Sequence, residues 1–217
     1  FNLVPFAAGN TGVQMTGWFN KEIKSIEDIK GLRMRTPGLG GDVITRAGGI
    51  AVTISGGELY TAMQTGVIDA LEWVGPYNDL AFGFHQIAKY YYYPGWSEPG
   101  PALELLVNKD AFETLPEDLK AIVETAARAV NQDVLDEYTA RNNEALVSLT
   151  EEHGVQLKKL PDDVVRELRR ISEEIIEEIA SDSEIARRIA NSIQSFQKQA
   201  AAYHAISEEA YYEARRK

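Results

Sequence analysis

The feature that most constrains this chain is an alternation of short apolar runs with glycine-stopped helical patterns between residues 25 and 73. Ser25-Ile26-Glu27-Asp28 has the form of a capping box and opens a short turn that Gly31 ends. Leu32-Arg33-Met34-Arg35 reads as a strand stopped by Pro37-Gly38. Gly41 to Ala47 fits a helix, and Ala51-Val52-Thr53-Ile54 fits a second strand. Ser55-Gly56-Gly57-Glu58 then caps a helix carrying Leu59, Ala62 and Met63, which Gly66 closes. Ile68 to Trp73 reads as a third strand. Parallel neighbours in a sheet need a crossover connection, and a helix is the usual one. Strand, helix, strand, helix, strand therefore predicts an α/β fold with parallel members.

Beyond residue 110 the pattern changes to helix. Thr114-Leu115-Pro116-Glu117 resembles a capping box with proline in the first turn. Leu119, Ile122, Val123, Ala126, Val130, Val134 and Tyr138 follow at helical spacing, and the helix can run to Glu152 with Gly154 as its cap. A strand at Val155-Gln156-Leu157 and Pro161 separate it from a helix with the stripe Val164, Leu168, Ile171, Ile175 and Ile179. A final helix carries Ile185, Ile189, Ile193, Phe196, Ala200, Tyr203 and Ile206. Such a stripe reads as core, and its terminal position also suits packing against a second subunit. No internal repeat or low-complexity linker interrupts the chain.

Composition removes several functions. Thirty-three acidic against 22 basic residues give a net charge of −11. Nucleic acid is excluded as a partner, because phosphate binding needs a basic face. With no cysteine, disulfides and thiolate metal sites are absent. His85, His153 and His204 are far apart in sequence, which disfavours a histidine-rich zinc site. The chain opens on Phe1-Asn2-Leu3-Val4-Pro5-Phe6 without an initiator Met or signal segment, and it reads as a fragment or processed form.

A few residues are placed where chemistry gathers. Arg35 stands where a strand meets a Pro-Gly turn, and ligands of α/β sheets collect outside the carboxyl ends of strands. A guanidinium there is suited to a carboxylate held by two parallel hydrogen bonds; it is equally suited to a structural ion pair. Glu72 ends another strand beside Trp73, and Glu98 follows an aromatic run in Trp96-Ser97-Glu98-Pro99. Two carboxylates facing one cleft must be protonated, paired or bound to a cation. With an anionic ligand also present, a hard cation held by oxygen atoms resolves the surplus charge. The alternative is that both glutamates are exposed and unrelated, and spacing does not decide between the two. Gln14 offers an amide, yet it also fits a plain polar strand residue. In Tyr90-Tyr91-Tyr92-Tyr93, alternate side chains of a strand face opposite sides, so one pair can line a pocket while the other packs elsewhere.

Enzymatic motifs are missing. Gly38-Leu39-Gly40-Gly41 follows a strand and opens a helix, but Val43 stands where a dinucleotide fingerprint needs its third glycine. There is no phosphate-binding loop, no nucleophile elbow and no His-Glu-x-x-His.

Taken together, several strings resemble one family. Ile29-Lys30-Gly31-Leu32-Arg33-Met34-Arg35-Thr36-Pro37-Gly38 is similar to the central motif of the DctP-type solute receptors of TRAP transporters. So is Gly57-Glu58-Leu59-Tyr60-Thr61-Ala62-Met63-Gln64-Thr65-Gly66-Val67-Ile68-Asp69-Ala70. The likeness continues through Glu72-Trp73-Val74-Gly75-Pro76, Tyr91-Tyr92-Tyr93-Pro94-Gly95-Trp96 and Val107-Asn108-Lys109, and is strongest over residues 9–125. These strings look most like the subgroup that binds 2-oxo acids such as pyruvate, or hydroxy acids, together with a metal cation.

The resemblance implies a periplasmic binding protein-like fold of two α/β lobes closing over the ligand, with long C-terminal helices. It implies that Arg35 clamps the ligand carboxylate and that Gln14, Glu72, Trp73 (by its backbone carbonyl) and Glu98 surround a Na⁺ or Ca²⁺ ion and the ligand. It further implies a periplasmic location, ligand capture without catalysis or a catalytic cofactor, delivery to the membrane subunits of a transporter, and a possible homodimer through the C-terminal helix. Family members begin with a segment that builds most of a first lobe, which is absent here. The expected division is residues 1–72 and 108–160 in the second lobe, 73–107 as a remnant of the first, and 161–217 as helices that brace the lobes or form a dimer contact. Two rivals stand beside this reading: a sensory ligand-binding module of the same fold, and an α/β enzyme acting on an oxo acid.

Overall fold

Short strands, each ending in a tight turn, build the larger of two sheets in a computed structural model that describes residues Phe1–Arg216. The strands are β1 (Leu3–Asn10), β2 (Gly17–Phe19), β3 (Arg33–Arg35), β4 (Ile50–Val52), β5 (Ala70–Leu71), β6 (Tyr90–Tyr93), β7 (Ala102–Asn108) and β8 (Gln156–Lys159). The helices are α1 (Gly38–Arg46), α2 (Leu59–Gln64), α3 (Pro76–Ala81), α4 (Lys109–Glu113), α5 (Glu117–Val147), α6 (Asp162–Ser181), α7 (Glu184–Ile206) and α8 (Glu208–Arg215). Six strands form one sheet in the order β4-β3-β5-β2-β6-β8, while β1 and β7 pair in a sheet of their own. Strands β3, β4 and β5 are mutually parallel, as the alternating pattern predicts. Strand β2 runs against both of its neighbours, β5 and β6, so the sheet is mixed.

The core explains the pairing. Trp18 stacks on Tyr91 with ring centroids 4.1 Å apart, and Phe19 meets Tyr92 edge-on at 5.0 Å. Both tyrosines are fully buried although they point to opposite faces, because this sheet is covered on both sides. Only Tyr93 of the aromatic run is exposed, and no pair of the four is left free to line a pocket while the other packs. Leu59, Met63, Ile68, Leu71, Phe84 and Leu149 complete the same cluster.

Several local expectations change. The third strand shortens to Ala70–Leu71, and the helix after Pro37 starts at Gly38. Thr114 does not cap α5; its hydroxyl donates to the Ala111 carbonyl, and Pro116 takes the cap position. Helix α5 ends at Val147 and passes through a π-helical turn, Ser148–Glu152, before Gly154. Of its predicted stripe, Leu119, Ile122, Ala126 and Val130 are exposed. Helix α5 packs on β1, and Ala127 is buried there, so the covered face is rotated from the one predicted. In α6, Val164, Leu168, Ile171 and Ile175 are buried, whereas Ile179 is exposed. No residue of α7 is buried, so its stripe is not core among the described residues.

Strand pairing links segments that the expected division gives to different lobes. Tyr90–Tyr93 lies inside the six-stranded sheet beside Gly17–Phe19, while Leu3–Asn10 pairs with Ala102–Asn108. Strands within residues 73–107 thus pair with strands within residues 1–72 and with Gln156–Lys159. By compactness the chain separates into one unit from Phe1 to Leu168 and another from Arg169 onward. The first holds both sheets. In the second, Arg187 pairs with Glu177 at 2.7 Å, closing the turn between α6 and α7. Among the described residues, no helix is long and apolar enough to cross a membrane.

Candidate functional site

The topology gathers five chain segments at one edge of the large sheet. Parallel strands β3, β4, β5 and β6 end there, and antiparallel β2 begins there. Arg35 closes β3, Glu72 and Trp73 follow β5, Glu98 lies beyond β6, and Gln14 precedes β2. Ligands of open α/β sheets bind at this kind of edge, because loops leave it while helices cover the faces.

Arg35 is already engaged. Its Nη1 donates to the Glu72 carbonyl at 2.8 Å and more weakly to Glu72 Oε2 at 3.4 Å. Its Nε donates to the Ile54 carbonyl at 3.4 Å, and its guanidinium carbon lies 5.2 Å from the centre of the Trp73 ring. Among the described residues Nη2 makes no hydrogen bond. The guanidinium is thus held on one side by backbone and ring, with one donor group unused.

Glu72 is 3% exposed. Burial pushes its carboxyl up to about 8, Glu98 and Asp79 add repulsion, and Arg35 opposes them. Burial wins because Nη1 is shared with the Glu72 carbonyl and reaches the carboxylate only at the edge of hydrogen-bonding distance. Glu98 is near enough to add repulsion to Glu72. Arg35 pairs with Glu72 alone of the two, and that contact does not offset the burial of the carboxyl.

Gln14 is 6% exposed; its Nε2 donates to Thr11 Oγ1 at 3.3 Å, while its Oε1 is buried with no hydrogen-bond partner. A buried amide oxygen without a partner is costly, so the position favours a ligand that supplies one. Its loop is pinned from two sides. Met15 N donates to the Val74 carbonyl at 3.0 Å, and Thr16 Oγ1 donates to the Pro94 carbonyl. Gly95 makes the approach feasible, since a Cβ there would lie 2.2 Å from the Gln14 carbonyl oxygen.

The donor set is two carboxylates and one free amide oxygen, with no imidazole or thiolate. Such oxygens suit sodium or calcium rather than zinc. No group of three or more His, Cys, Asp or Glu able to hold a metal ion occurs among the described residues, so two glutamates alone do not make a closed metal site. The residues present fit a cation that also takes oxygens from an amide and from a ligand.

Asp79 escaped the sequence reading. It is wholly buried and accepts from Trp18 Nε1 at 2.9 Å, Tyr91 OH at 2.8 Å, Gly75 N at 3.1 Å and Val74 N at 3.3 Å. Burial pushes its carboxyl up to about 6 against those four donors. It ties the segment after Trp73 to the aromatic core. The available signal was an acid in the first turn after Gly75-Pro76, which marks a helix start. His85 and His153, distant in sequence, meet with ring centres 4.2 Å apart, and among the described residues they belong to no group of three metal-ligating side chains.

A family model described as "DctP: Bacterial extracellular solute-binding protein, family 7" matches residues 1–183. The chain belongs to this family. It is 44% identical over 211 residues to a monocarboxylate 2-oxoacid-binding periplasmic protein of Nostoc sp., covering 97% of this chain and 58% of that one. A TRAP periplasmic solute binding protein of Pseudoalteromonas atlantica T6c, solved with bound sodium and pyruvate, superposes with a TM-score of 0.93 at 41% identity, covering 98% of this chain and 64% of the other. One from Colwellia psychrerythraea, solved with bound calcium and pyruvate, gives 0.95 at 41% identity, covering 98% and 65%. The chain therefore spans less than two thirds of the length of each of these DctP-family relatives.

Proposed function

We propose that this DctP-family chain is the ligand-holding part of an extracytoplasmic receptor that captures a small 2-oxo acid such as pyruvate, with Na⁺ or Ca²⁺, and passes it unchanged to a TRAP-type secondary transporter. The observation that carries the reading is the charge deficit at the sheet edge. Among the described residues Arg35 alone pairs with Glu72, Glu98 adds repulsion to it, and Gln14 Oε1 is buried without a partner. A cation there satisfies the carboxylates and the amide at once, and the ligand carboxylate takes the unused donor of Arg35. Gln14, Glu72, Glu98 and the Trp73 backbone carbonyl would hold the cation; Arg35, Gln14, Trp73 and Glu98 would contact the ligand. When bound, the cation supplies positive charge that lets an anionic ligand sit among glutamates. The relatives solved with pyruvate and either sodium or calcium support the same pairing.

The reading places the protein in the periplasm and makes it a receptor that returns its ligand unchanged. The exposed stripe of α7 supports a homodimer through that helix. Calorimetric titration with pyruvate tests the central claim, run with calcium, with sodium, and in chelator with an organic cation as counter-ion. Binding in the first two conditions and none in the third is expected. Equal binding in all three removes the cation, and turnover of the acid replaces the receptor by an enzyme.

A further inference from the structure

The turn after β4 touches two parts of this edge at once. The Ile54 carbonyl accepts from Arg35 Nε at 3.4 Å. Two residues later, Gly56 lies against the indole of Trp73: a Cβ on Gly56 would sit 2.7 Å from Cη2, 3.3 Å from Cζ3 and 3.5 Å from Cζ2. Gly56 does not have the positive φ that would by itself require glycine, so what the position needs is the missing Cβ. The same ring carries the Arg35 guanidinium carbon 5.2 Å from its centre and packs on Phe82, with ring centres 4.9 Å apart. Its Nε1 is buried with no hydrogen-bond partner, so packing alone sets where the indole lies.

We propose that Gly56 is a positioning residue of the anion site: by admitting the far edge of the Trp73 indole, it sets the ring on which Arg35 rests and thereby the direction of the guanidinium. The inference rests on Arg35 being the carboxylate clamp. A methyl group at position 56 forces the ring edge back by about 0.7 Å to reach ordinary contact. The Ile54 carbonyl meanwhile stays on the other flank of the guanidinium. Carboxylate pairing with arginine is planar and directional, so a displacement of this size weakens it.

The test compares the parent with Gly56→Ala, Trp73→Phe, the double variant and Gly57→Ala. A Cβ on Gly57 meets nothing within 4 Å, so that variant controls for the turn itself. In ligand-free protein, Gly56→Ala is expected to alter the near-ultraviolet dichroism attributable to Trp73 (the parent spectrum less that of Trp73→Phe), and Gly57→Ala is expected to leave it unchanged. Pyruvate affinity in calcium should fall about tenfold or more in Gly56→Ala. On the Trp73→Phe background, where the clashing ring edge is gone, the same change should alter affinity less than about twofold. An unchanged Trp73 spectrum in Gly56→Ala overturns the proposal, as does an equal loss on both backgrounds. If Gly56→Ala alone fails to fold, recovery in the double variant supports the proposal and failure in both overturns it. If the parent binds no pyruvate, the receptor reading fails by itself and the spectra decide the role of Gly56.

Discussion

Replacing Glu72 by glutamine separates the electrostatics of the sheet edge from its packing. The substitution keeps the side chain's size and an acceptor for Arg35 while removing the ionisable group. In the ligand-free protein, burial and the neighbouring Glu98 raise the Glu72 carboxyl from 4.5 to about 8. The folded state then holds a proton that the unfolded chain releases near pH 4.5, so the stability associated with that proton is fully present below that pH. It is lost as pH rises toward 8, at about 1.4 kcal/mol per pH unit. Glu72→Gln lacks this loss. Between pH 5.5 and 7.5 the variant should therefore gain about 2–3 kcal/mol on the parent, with the difference levelling off above pH 8. Urea denaturation of both proteins across that range, in chelator and without sodium, measures it. Parallel pH profiles would refute the reasoning, because they would mean that the Arg35 contact at 3.4 Å outweighs burial and keeps Glu72 ionised.

Two further outcomes are expected. Arg35→Ala should weaken pyruvate binding in calcium by about 2–5 kcal/mol, the cost of leaving a buried carboxylate without its partner; unchanged affinity in calorimetry removes Arg35 from the site. Ile193→Glu, on the exposed face of α7, should shift a dimer to monomer in sedimentation velocity, and a parent that is monomeric at the same concentration would end the dimer reading.

The readable parts of this fold are those set by neighbours in sequence. Leu32 to Arg35, Ala51-Val52 and Ala70-Leu71 announce themselves as parallel strands because each is bounded by glycine, proline or a helix start. The antiparallel insertion of β2, and the pairing of β1 with β7, depend on partners 50 to 100 positions away in the chain and carry no local mark. Periodicity likewise located helices α5, α6 and α7 without showing which faces would be covered. Ile122 and Val130 share a stripe with residues that pack, yet they are exposed, and the α7 stripe has no cover among the described residues.

At the sheet edge, sequence alone determined which residues have the right chemistry: a guanidinium at a strand end, two glutamates beside tryptophans, and an amide near the start of a strand. It could not bring them together, because charge repulsion and orphaned polar atoms arise only when separate segments share one desolvated space. Tertiary structure decided that Glu72 is buried, that Glu98 raises its pKa, and that Gln14 Oε1 lacks a partner. It also decided the roles of Asp79 and Gly56, whose neighbours, Trp18, Tyr91 and Trp73, come from elsewhere in the chain. Residue type sets what an atom can bind; only packing sets how much water it has lost, and that loss is what the proposed cation and acid would answer.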